Sequence, residues 1–131
     1  MKVLALDYGS ARTGVAVSDP TGAVARPLCV VERAATEAGL ERIRDLARDE
    51  NAERIIVGLP LTLRGARGEQ AQETSAFVER LRAAVDVPVE EFDERFTTDL
   101  AARDGGRAAE DARAAAHLLA GYLESLARGL M

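Results

Sequence analysis

The stretch Lys2-Val3-Leu4-Ala5-Leu6-Asp7-Tyr8-Gly9-Ser10-Ala11-Arg12-Thr13-Gly14-Val15-Ala16-Val17-Ser18 decides the fold. From Lys2 to Leu6 there is little polar alternation, the pattern of a central strand buried on both faces. Asp7 to Arg12 reads as a turn and Thr13 to Ser18 as a second strand. A connection of that length suits an antiparallel hairpin. Asp19-Pro20-Thr21-Gly22 is a further turn, in which Pro sets φ and Gly permits φ > 0. Ala25 to Glu32 then forms a third strand. Pro27 inside it removes a ladder donor and puts this strand at an edge of the sheet.

Downstream the texture changes. Leu40, Ile43, Leu46 and Ala47 recur at helical spacing within Glu37 to Asn51, and Thr36 is placed to cap that helix. Arg54 to Leu59 is a short strand that runs into Pro60. Leu61 to Gly68, with two glycines and two arginines, reads as a loop. Glu69 to Val85 predicts a second helix, with Ala76, Phe77, Leu81 and Ala84 inward, and Val87 to Phe92 a fifth strand. A short helix opens at Thr97 or Thr98 and runs toward Arg103. Asp104-Gly105-Gly106-Arg107 is a loop, and Glu110 to about Arg128 a last helix. Three hairpin-connected strands are thus followed by two reached through helical crossovers, which favour parallel pairing. The economical solution is one α/β domain over residues 1–131, with a mixed five-stranded sheet and helices on both faces.

Composition agrees with a folded domain. Of 131 residues, 47% are hydrophobic and 30% charged, a balance that excludes wholesale disorder. There is no apolar run long enough to cross a membrane, and Asp7 interrupts the first apolar run as no secretory signal would allow. The single cysteine, Cys29, excludes an intrachain disulfide, so a reducing, cytoplasmic setting is the expectation. A net charge of −5 excludes a bulk electrostatic binder of nucleic acid. Sixteen of the seventeen basic residues are arginines, whose planar fork suits phosphate; the plainer account of the bias as a whole is the base composition of the genome, so individual arginines are read by position.

Three acidic positions carry the chemical interest. Asp7 ends the central strand, where a buried carboxylate needs a cation, donors or water; the plain alternative is a turn cap. Asp93 and Glu94 follow the fifth strand, whose parallel course brings them to the same sheet edge as Asp7; the plain alternative is an acidic loop. Asp111 continues the apolar stripe Ala115, Leu118, Leu119, Tyr122 and Leu126 by one more turn, so it faces the sheet. Its plain alternative is a first-turn acid that favours the helix dipole. Carboxylates that converge from two strand ends and a helix hold Mg²⁺ or Mn²⁺ through hard oxygens. Paired ions of that kind activate water and stabilise the leaving oxygen of a phosphodiester.

Leu4-Ala5-Leu6-Asp7-Tyr8-Gly9 with Gly14-Val15-Ala16-Val17-Ser18-Asp19, then Ile55-Ile56-Val57-Gly58-Leu59-Pro60-Leu61, then Asp93-Glu94-Arg95-Phe96-Thr97-Thr98 and the Ala-rich helix with Asp111, together resemble the YqgF family. Its members are also called RuvX-type Holliday junction resolvases or pre-16S rRNA nucleases. The resemblance covers nearly the whole chain. It implies an RNase H-like fold, cytoplasmic location, metal-dependent phosphodiester cleavage and a link to maturation of the 16S rRNA 5′ end. Carried over by motif, Asp7, Glu94 and Asp111 form the acidic triad, and Asp93 is an auxiliary ligand. In the related RuvC resolvases an acid follows the fourth strand; Gly58-Leu59-Pro60 stands there instead, so Glu94 must substitute from the fifth. Arg113 also stands where smaller polar residues are usual.

Arg12, Arg64, Arg67 and Arg95, with Thr97, are candidates to grip the backbone of structured RNA or branched DNA; solvated surface charge is the alternative for the arginines. Tyr8 is a single candidate for stacking a base. Symmetric cutting of a four-way junction would require a homodimer, whereas trimming an rRNA precursor would not. The rival to the nuclease is a non-catalytic binding module in ribosome assembly or transcription, in which the acids only satisfy local structure.

Overall fold

A computed structural model describes residues 1–60, 68–93 and 107–129. Five strands form one sheet: β1 (Val3–Asp7), β2 (Arg12–Ser18), β3 (Ala25–Glu32), β4 (Arg54–Leu59) and β5 (Val89–Asp93), in the order β3-β2-β1-β4-β5. The hairpin strands pair antiparallel, and β1–β4 and β4–β5 pair parallel. Helices α1 (Glu37–Asp49), α2 (Glu69–Ala84) and α3 (Arg107–Ala127) complete the described elements. The mixed sheet predicted from the hairpin and crossovers is therefore the observed one.

Alternation along the strands sorts the core into two layers. On one face, Leu4, Leu6, Val15, Val17, Ile55 and Val57 pack beneath Leu40, Ile43 and Leu46 of α1 and Phe77, Val78 and Leu81 of α2. On the other, Val3, Ala5, Ala16, Ile56 and Phe92 meet Ala115, Leu118, Leu119 and Tyr122 of α3. Every β1 residue from Val3 to Leu6 is fully buried, as a strand apolar on both sides demands. Thr36 caps α1 by accepting from the Gly39 amide at 3.1 Å. Pro27 lies on β3, an edge strand, and the β2–β3 register slips between Val15 and Ala16.

Several boundaries and one helix face differ from the sequence expectation; α1 and α2, for instance, end at Asp49 and Ala84 rather than Asn51 and Val85. Helix α3 starts at Arg107, not Glu110, so Arg107 belongs to a helix and not to the loop after Gly106. Ala108 and Ala109 are strong helix formers, and propensity carries the helix back to the glycine pair. Asp111 consequently lies in the second turn, and the helix-dipole account of a first-turn acid does not apply to it. Strand β5 starts at Val89, because Val87 and Pro88 lead into it; the Pro88 carbonyl accepts from the Ile55 amide at 2.9 Å. On α2 the inward row is Ala71, Thr74, Phe77, Val78 and Leu81, while Ala76 is exposed. The expected short helix from Thr97 lies outside the described residues.

Candidate active site

The site lies at one edge of the sheet, where β1 ends, β2 begins and the parallel strands β4 and β5 end. Asp7, last residue of β1, keeps the parity of Val3 and Ala5 and so belongs to the face that α3 covers. It is half-buried, with a fixed interaction of its own. Its cross-strand neighbour on β2 is Gly14. Residues directly opposite in an antiparallel pair share a face, with Cβ positions about 5 Å apart.

Gly14 makes the connection to α3. A Cβ built on it would stand 1.8 Å from the backbone oxygen of Asp111, 2.3 Å from its carbonyl carbon and 3.0 Å from the Ala112 nitrogen. The start of α3 therefore rests directly on bare β2 backbone, one strand from Asp7. Interior strand glycines mark such close approaches. In the sequence Gly14 is one residue of the strand run Gly14-Val15-Ala16-Val17, and a glycine inside a strand is the signal for such an approach.

Arg12 completes the described part of the site. Two residues before Gly14, it shares the face turned to α3, and its Nε donates to Oδ2 of Asp111 at 2.7 Å. The two side chains are 35% and 29% exposed, so water screens the pair and its contribution to stability is about 0.2–1 kcal/mol. The turn that returns the chain to Arg12 is tight. The Gly9 amide donates to Thr13 Oγ1 at 3.4 Å, the Thr13 hydroxyl lies 3.3 Å from the Gly9 carbonyl, and a Cβ on Gly9 would stand 2.5 Å from the Arg12 oxygen. On the opposite face Tyr8 stacks on Phe77, with centroids 4.3 Å apart and planes at 17°. Burial, reinforced by the negative charge of Glu73, pushes the Tyr8 hydroxyl above its ordinary range. One face of the single candidate for base stacking is thus committed to α2.

Asp93 closes β5 opposite Leu59. Alternation places it with Glu91, whose carboxylate accepts from Ser75 of α2, and away from Phe92, which meets α3. Asp7 and Asp93 thus share a sheet edge but not a sheet face, and the structure does not bring the proposed auxiliary ligand to the Asp7–Asp111 side. Glu94, Arg64, Arg67, Arg95 and Thr97 lie outside the described residues. Among the described residues no group of three or more His, Cys, Asp or Glu is assembled that would hold a metal ion. Asp7 lies opposite Gly14 on the next strand and the Asp111 backbone lies over Gly14, so two oxygen-donor residues flank one glycine, and Asp111 already holds a cationic group. Hard carboxylate donors of this kind suit Mg²⁺ or Mn²⁺ rather than a thiophilic metal.

The strand order and the helices on both sheet faces define an RNase H-like fold. Two solved structures of RuvC from Thermus thermophilus share that fold: one with a TM-score of 0.65 over 98% of this chain and 97% of that one, and one in complex with Holliday junction substrate, with a TM-score of 0.63 over 97% and 96%. Both are 19% identical to this sequence. The family model described as "RuvX: Holliday junction resolvase" matches residues 1–125, and the chain belongs to that family. Relatives called "Putative pre-16S rRNA nuclease" include one from Roseiflexus sp., 40% identical over 95% of this chain and 94% of its own, and one from Moorella thermoacetica, 38% identical over 96% of each.

Proposed function

We propose that this chain is a metal-dependent endonuclease that hydrolyses phosphodiester bonds in structured nucleic acid. Its substrates are the 5′ region of precursor 16S rRNA, four-way DNA junctions, or both. The observation that supports the reading is the seat of the Asp111 backbone on Gly14, the cross-strand partner of Asp7. Asp7 and Asp111 are the described ligands; Glu94, next in the chain after β5, is assigned as the third. Asp93, on the other face, is the weakest member of the proposed set.

A divalent ion, Mg²⁺ or Mn²⁺, would supply charge neutralisation at the phosphate and activation of a water. The chain's own residues do the rest. Asp7 and Asp111 would be the metal-holding carboxylates, one carried by a central strand and the other by a helix braced against bare backbone. Arg12 offers a planar fork beside them, and Arg64, Arg67, Arg95 and Thr97 are assigned to grip the nucleic-acid backbone. The single cysteine fits a cytoplasmic setting, and no described helix is long and apolar enough to cross a membrane.

One observation favours the rival reading of a non-catalytic binding module: the Arg12–Asp111 pair satisfies Asp111 without any metal. A cleavage panel separates the two. Purified protein is incubated with precursor 16S rRNA and with a four-way DNA junction, in Mn²⁺, Mg²⁺ or EDTA. The nuclease reading expects metal-dependent products that Asp7→Asn abolishes. Salt-sensitive binding without turnover in either metal would establish the binding module instead.

A further inference from the structure

We propose that Arg12 is the resident counter-cation of Asp111, and that loading a divalent ion at the Asp7–Asp111 pair displaces its guanidinium from that carboxylate. The inference rests on the nuclease reading and adds a built-in competitor to it. Asp111 Oδ2 accepts the Arg12 Nε–H at 2.7 Å, a short charge-assisted bond. The two residues are 99 positions apart, so the contact is made by the tertiary fold rather than by a local turn.

Geometry decides why the contact competes. Arg12, Gly14 and Asp7 share the α3-facing side at the ends of β2 and β1, and Asp111 is held over Gly14. An ion shared by Asp7 and Asp111 must approach the carboxylate that Arg12 engages, and a guanidinium left in place would repel it. A carboxylate oxygen has lone pairs for both partners, but two cations so close repel each other, and water at this partly exposed pair weakens that repulsion without removing it. The pair is also open to water, so its rupture is not prohibitive. Arg12 is therefore a positioning residue. In the metal-free protein it keeps the Asp111 side chain in place; on loading its guanidinium is released and free to meet a phosphate. Metal binding and substrate grip are coupled through a single side chain.

Mn²⁺ alone is the probe for the first test, with affinity measured by electron paramagnetic resonance on wild type, Arg12→Gln and Arg12→Lys. Arg12→Gln is expected to bind Mn²⁺ roughly 2- to 5-fold tighter, the factor that a partly exposed ion pair supports. Arg12→Lys, which keeps the charge, should stay near wild type. Equal or weaker binding by Arg12→Gln would overturn the proposal. The second test uses wild type only and no cleavage. The Arg12 Nε–H cross-peak, assigned with Arg12→Lys, is followed by NMR as Mg²⁺ is added. It should move to the position of a solvated arginine, and a cross-peak unmoved at saturating Mg²⁺ would sink the inference. If neither wild type nor Arg12→Gln binds Mn²⁺, the nuclease reading itself falls and takes this inference with it. Wild-type binding unchanged by Arg12→Gln removes the inference alone.

Discussion

The backbone oxygen of Asp111 stands 1.8 Å from where a Cβ on Gly14 would lie. A side chain at position 14 is therefore incompatible with the seat of α3. What it would strike is helix backbone, which has no rotamer to change, so the start of the helix must lift or β2 must bend.

Gly14→Ala is accordingly expected to destabilise the fold by about 3 kcal/mol, the upper end of what overpacking costs. The urea midpoint of purified protein checks this. Cleavage should be lost at temperatures where the variant is still folded, because Asp111 leaves Asp7. A variant with wild-type midpoint and wild-type cleavage would show that the α3 seat does not organise the site.

Asp7→Asn should behave in the opposite way. It removes a negative charge from the end of β1 while keeping shape, so thermal stability is expected to be equal or higher. Metal-dependent cleavage should fall at least about 100-fold, since even outer partners of metal ligands are worth roughly 10–100-fold. Paired melting curves and single-turnover assays give both readouts, and retained cleavage in a pure preparation defeats the assigned role.

At the other end of α3, the fully buried Tyr122 accepts a hydrogen bond from Arg54, whose Nε lies 3.0 Å from Glu90 Oε1. Its ring meets Phe92 edge-on at 5.4 Å. Tyr122→Phe should cost about 0.5–1.5 kcal/mol, because one hydrogen bond goes and the ring packing stays. Tyr122→Ala should cost about 3–5 kcal/mol through the cavity it leaves. Denaturant midpoints distinguish the two, and the cleavage rate of Tyr122→Phe should be unchanged.

The Asp19 turn sets a pH signature far from the site. The Thr21 hydroxyl first, then the backbone amides of Val24 and Ala23, donate to its carboxylate and lower its pKa to about 2. Because the folded value lies below the unfolded one, this stabilisation is fully present above about pH 4. It is lost as pH falls toward 2. An NMR titration should place the Asp19 midpoint near 2. Asp19→Asn should flatten the stability profile between those limits; a midpoint near 4 would remove the claim.

The fold was legible because each strand carries its environment in its pattern. Val3 to Leu6 is apolar on both sides and sits mid-sheet, and Pro27 lies on an edge strand. The helix periodicity of α1 named its buried row, Leu40, Ile43, Leu46 and Ala47. On α2 the weaker amphipathic pattern placed Ala76 inward, where the structure exposes it. The site was legible only in part. Asp7 and Asp111 announce themselves as acids on otherwise apolar faces. The bond of Arg12 to Asp111 spans 99 residues, and the role of Gly14 depends on a helix almost a hundred positions away. No local spacing encodes either. The opposite facing of Asp93 follows from strand parity, but only once the last paired residue of β5 is known.

Helix α3 is moored at two places of unequal firmness: a buried aromatic hydroxyl at Tyr122 and a water-exposed ion pair at Asp111. Between those two points Ala112, Ala115, Leu118 and Leu119 are buried along the same helix. The placement of Asp111 is therefore inherited from the core, and a packing defect well down α3 would be felt at the carboxylate.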